Sequence, residues 1–82
     1  ILEPCLKELR ALQQVKQTKF MARSAELNHL LGEAKTYIKV RSSMNGEMTT
    51  ILDSAFQYRI ARTCNDIRVD LTHSLLERIE KN

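Results

Sequence analysis

Eighty-two residues with 43% hydrophobic, 5% aromatic and 28% charged side chains make one small domain with a mainly aliphatic core. Such a chain buries only about two-thirds of its unfolded surface, so a partner or a second copy would add stability. No apolar run approaches the roughly 20 residues of a membrane span, and a net charge of +3 is too small to declare nucleic-acid binding. That charge is uneven. Residues 1–41 hold eight Lys/Arg against four acids, and residues 42–82 hold five against six, which would orient an acidic partner toward the first half.

The chain opens with Pro4, a residue suited to a first helical turn because its missing N–H would have no partner there. Leu2, Leu6, Leu9 and Leu12 then recur at spacings of four and three, flanked by Cys5 and Val15. This is the pattern of an amphipathic helix, expected over 4–17.

A second stripe follows at Phe20, Ser24, Leu27, Leu31, Ala34 and Ile38, widened by Leu30 and Tyr37. Its spacing is heptad-like and predicts a helix over 19–41. The two stripes do not join, because Gln13, Lys16 and Arg23 would interrupt a single seam. Two readings stay open. In one, the helix breaks near Gln17–Thr18 with Thr18 as the cap; in the other, it continues and changes its buried face. Gly32 lies within this stripe and suggests close approach of another helix.

"RSSMNGEMTT", from Arg41 to Thr50, is rich in turn formers. Asn45 or Gly46 can end a helix in the left-handed conformation. Thr49 or Thr50 can cap the next one, with Asp53 in its first turn where the dipole favours an acid. The stretch therefore reads as helix stop, short turn (Ser42 to Glu47) and helix start. Ser42 and Ser43 are turn formers rather than modification sites.

The remainder predicts a helix over 48–81. Met48, Ile51, Leu52, Ala55 and Phe56 occupy one side, and Ile60, Cys64, Ile67, Leu71, Leu75 and Ile79 form a further stripe. The register drifts between them, and Asn65 or Asp66 could cap a fresh start, so a kink is expected near Thr63. Arg62 with Asp66, and Glu77 with Lys81, form (i, i+4) pairs. The expected fold is all-α: a small antiparallel bundle of three helices, filling residues 1–82 as a single domain excised from a larger protein.

Chemistry-bearing patterns are sparse. His29, His73, Cys5 and Cys64 show none of the short spacings by which a zinc site gathers two ligands from one turn. Asp66 and Asp70 sit one turn apart without the loop of a calcium site. Cys64 and His73 are separated by about 13 Å along a continuous helix, too far to act together. No phosphate-binding loop or nucleophile elbow is present. No enzyme, metal or cofactor is expected. Cys5 and Cys64 read as reduced core thiols, with a disulfide as the alternative, and hence as marks of an intracellular protein, cytoplasmic or nuclear.

What remains is binding. The apolar stripes exceed what a two-helix hairpin can bury. The expected function is a protein-interaction or assembly module with Leu27, Leu31, Ile38, Ile67 and Leu71 as partner-binding residues. Met21, Met44 and Met48 would add adaptable contacts or fill core. The rival is a nucleic-acid or chromatin-associated module tracking phosphates with Lys7, Arg10, Lys16, Lys19 and Arg23.

Overall fold

The computed structural model describes residues 2–81. Three helices form it: α1 (Leu2–Val15), α2 (Gln17–Val40) and α3 (Gly46–Glu80), with a single 3₁₀ turn over Arg41–Ser43 between the last two. No strand occurs among the described residues. The molecule is a rod of 57 × 17 × 16 Å, because α3 alone runs 35 residues, about 52 Å at 1.5 Å per residue.

Cross-helix pairs set the directions. Cys5 and Glu8 of α1, and Lys16 just after it, meet Cys64, Arg68 and Glu77 of α3, so these two helices run parallel. Arg23 and Arg41 of α2 meet Asp70 and Asp53, so α2 runs back along α3. The topology is up-down-up. Because α1 covers only the C-terminal half of α3, the rod has a three-helix end and a two-helix end.

The chain breaks once between α1 and α2, at Lys16, which is extended at φ −149° and ψ 92°. No side chain caps this start, so the cap expected from Thr18 is absent. The break needs none, since the Lys16 N–H donates to the Leu12 carbonyl and its own carbonyl accepts from the Phe20 N–H. One extended residue rotates the second stripe onto the same core as the first: Leu12 is fully buried and Phe20 packs against the cluster. That core is Cys5, Leu9, Leu12, Leu27 and Ile67, with Phe20, Leu31, Cys64 and Leu71 around it.

The second turn differs in detail from its expected form. Asn45 is the cap of α3, and its side-chain carbonyl accepts from the Met48 N–H at 2.9 Å. Thr49 and Thr50 lie inside the helix, where their hydroxyls donate back to the Gly46 carbonyl. No described residue has a positive φ, so neither Asn45 nor Gly46 serves as a left-handed stop. Asp53 stands a turn deeper than a first-turn acid; Glu47 has that place. The expected kink at Thr63 is also absent as a helix break. α3 is one uninterrupted helix, and the buried Thr63 hydroxyl donates to Glu26 Oε1 at 3.1 Å.

Gly32 faces open space. A Cβ added there would meet nothing within 4 Å, so no helix approaches it closely.

Candidate functional site

Two polar clusters and one disulfide lock the rod and leave most of its outer surface free. On the three-helix end, Arg23 is ringed by acids. Its Nε donates to Asp70 Oδ2 at 2.6 Å, and its Nη1 lies 3.2 Å from Glu26 and 3.6 Å from Asp66. The hydrogen bond to Asp70 is the main reason its pKa is raised. On the two-helix end, Arg41 grips Asp53 with a two-pronged contact of 2.6 and 3.1 Å, the geometry in which guanidinium and carboxylate bind best. Tyr37 donates its hydroxyl proton to the same carboxylate at 2.7 Å and stacks on Phe56 with ring centroids 5.2 Å apart. These donors, Arg41 first, hold the Asp53 carboxyl down at about 2. Burial is the main cause of the raised Tyr37 pKa.

Cys5 and Cys64 are joined as a disulfide, and no free cysteine remains among the described residues. The expectation of reduced thiols is corrected. Both residues lie in the apolar contact between α1 and α3, with Cα atoms 5.4 Å apart, which is the spacing a disulfide needs. A separation of 59 positions leaves no local spacing from which the pairing could be read.

The sequence-derived contact residues divide unequally. Leu27 and Ile67 are buried in the chain's own core, and Leu31 and Leu71 pack against it. Only Ile38, 68% exposed, is offered to solvent. The basic set divides as well. Lys7, Arg10 and Lys19 are exposed, Lys16 stands at the helix break 4.0 Å from Glu77, and Arg23 is neutralised by its three acids. Lys16 and Arg23 therefore do not share one helix face. The expected Arg62–Asp66 and Glu77–Lys81 pairs are not formed among the described residues. Asp66 and Glu77 turn instead to Arg23 and Lys16 on α2 and at the helix break.

A further stripe runs along the outside of α3. Met48, Ile51, Ala55 and Tyr58 recur at spacings of three, four and three, and all are exposed. The rhythm continues through Arg62 and Asn65 to Val69, Thr72, Leu76 and Ile79, again all exposed. This is an unbroken heptad pattern on the outside of the helix. Asn65 and the buried Ile67 differ by two positions, about 200° around the axis, so this seam faces away from α1 and α2. Ile51 is 64% exposed, Tyr58 62% and Ile79 72%.

Among the described residues, no group of three His, Cys, Asp or Glu side chains could hold a metal ion. No described helix is long and apolar enough to cross a membrane. The arrangement is that of a disulfide-tied helical bundle drawn out into a two-helix hairpin, with an apolar seam along its longest helix. The chain belongs to the YuaE family, whose model matches residues 2–82. No curated protein and no solved structure matches it.

Proposed function

We propose that this chain is a non-catalytic protein-interaction or assembly module that works by burying apolar helix faces. One observation carries the reading. The long helix exposes six large apolar side chains, Met48, Ile51, Tyr58, Val69, Leu76 and Ile79, at heptad positions of one seam, while its inner face holds Ile67 and the buried polar residues Thr63 and Ser74. Scattered exposed apolar residues are ordinary; a periodic stripe of them along a helix is the mark of a helix-to-helix contact.

The disulfide argues for an oxidising compartment rather than the cytoplasm or nucleus, since cytosolic thiols are kept reduced. The nucleic-acid reading is weakened by the acids that surround Arg23 and by the contact of Lys16 with Glu77. Absence of DNA and RNA binding at low salt would end it.

The test of the main reading is binding of an apolar fluorescent probe, anilinonaphthalene sulfonate, at dilutions where light scattering gives the single-chain mass. The folded chain is expected to bind it, and Ile51→Glu combined with Ile79→Glu to lose it without loss of helix signal. A folded single chain that binds none would overturn the reading.

A further inference from the structure

The outer seam of α3 points to a second copy of this chain as its occupant, docked antiparallel; this identifies the partner and rests on the assembly reading above. In an antiparallel pair of helices, each a position of one copy meets a d position of the other. Taking Met48 as a, the seam is symmetric about the point between Thr63 and Cys64. Met48 then faces Ile79 of the second copy, Ile51 faces Leu76, and Tyr58 faces Val69. Ala55 meets Thr72, a small pair, and Arg62 meets Asn65, a guanidinium beside an amide oxygen. Every large apolar side chain meets another, and the polar layers coincide at the centre.

Charge favours the same orientation. Arg59 comes beside Asp66 of the second copy, twice by symmetry; the Asp66 carboxylate already lies 3.6 Å from Arg23 and would then bridge two cations. A parallel pair in register would instead press Arg62 against Arg62 within the seam, with no acid between them. A central polar layer of this kind sets register and orientation at some cost in strength.

The seam spans about 46 Å from Met48 to Ile79. At about 10 Å wide it offers roughly 450 Å² per copy, at the small end of specific interfaces. The dimer is therefore expected to dissociate on dilution.

The test replaces Ile79 with the photo-crosslinker benzoylphenylalanine in the oxidised full chain and maps the crosslinks by mass spectrometry. Crosslinking to the segment around Met48 is the expected result. It can arise only between copies, because the two positions lie at opposite ends of one rod. Crosslinks joining position 79 to position 79 would mean parallel pairing, and crosslinks to α1 or α2 would mean another face; either overturns the proposal and leaves the assembly reading standing. A single-chain mass up to millimolar concentration also overturns it, and the probe-binding result above then decides separately whether an outside partner is to be sought. Ile51→Glu, an exposed position, is expected to raise the dimer dissociation constant at least tenfold while the helix signal is unchanged.

Discussion

Cys5 on α1 and Cys64 on α3 join the shortest helix to the middle of the longest one, across 59 positions of sequence. Closing so long a loop restricts the unfolded chain, by roughly 4 kcal/mol in the chain-entropy account. For a domain this small, that is a large share of the total. Reduction, or the Cys5→Ser/Cys64→Ser pair, should lower the thermal midpoint by well over ten degrees. Melting curves with and without dithiothreitol measure this. Coincident curves would show that α1 is held by its leucines alone.

Asp53 gives the two-helix end an acid sensitivity. Its folded pKa is depressed to about 2 by Arg41 and Tyr37, against about 3.9 for a free aspartate. A depressed acid stabilises the fold above its unfolded pKa, and that contribution fades as pH falls from about 4 through about 2. Asp53→Asn should remove this component, so the stability difference between wild type and variant should be constant above about pH 5 and shrink below pH 4. Denaturant melts across pH 2–7 measure it.

Buried and exposed positions should respond differently to truncation. Ile67 is completely buried and Leu12 likewise, so Ile67→Ala or Leu12→Ala should cost about 2–5 kcal/mol. Ile51 is exposed, and Ile51→Ala should change the stability of the dilute single chain by no more than about 0.5 kcal/mol. Urea unfolding at low protein concentration separates the two classes.

Gly32 is a place where the fold can be improved. Its position is helical, its backbone φ is not positive, and an added methyl would meet no atom within 4 Å. Gly32→Ala should therefore stabilise by about 0.5–1 kcal/mol. A drop in midpoint would mean that the α2 surface at Gly32 is covered in the assembled protein.

The helices and the turn between α2 and α3 were legible because their signals are local: leucines at three- and four-residue spacing, and a cluster of turn formers around Asn45. The site was less so. Read with heptad spacing, the α2 stripe ends at Ile38, yet Tyr37 is the buried residue there. Beyond the reach of α1, α2 packs on α3 alone, and there the Tyr37 ring stacks on Phe56 while its hydroxyl donates to Asp53. On α3 two apolar seams run side by side. By spacing Leu75 and Ile79 continue the core stripe, whereas Ser74 occupies the buried slot and both of them face solvent. Burial alone tells the two apart. The disulfide stood only as the alternative to free thiols for a different reason: it joins residues 59 positions apart that meet only when α3 packs beside α1.

The most direct test of assembly through the outer seam is the solution mass of the oxidised chain, followed by light scattering over a hundredfold range of concentration. A rise from one chain mass to two, abolished by Ile51→Glu, is the predicted result. One chain mass throughout, the same for wild type and variant, would contradict it.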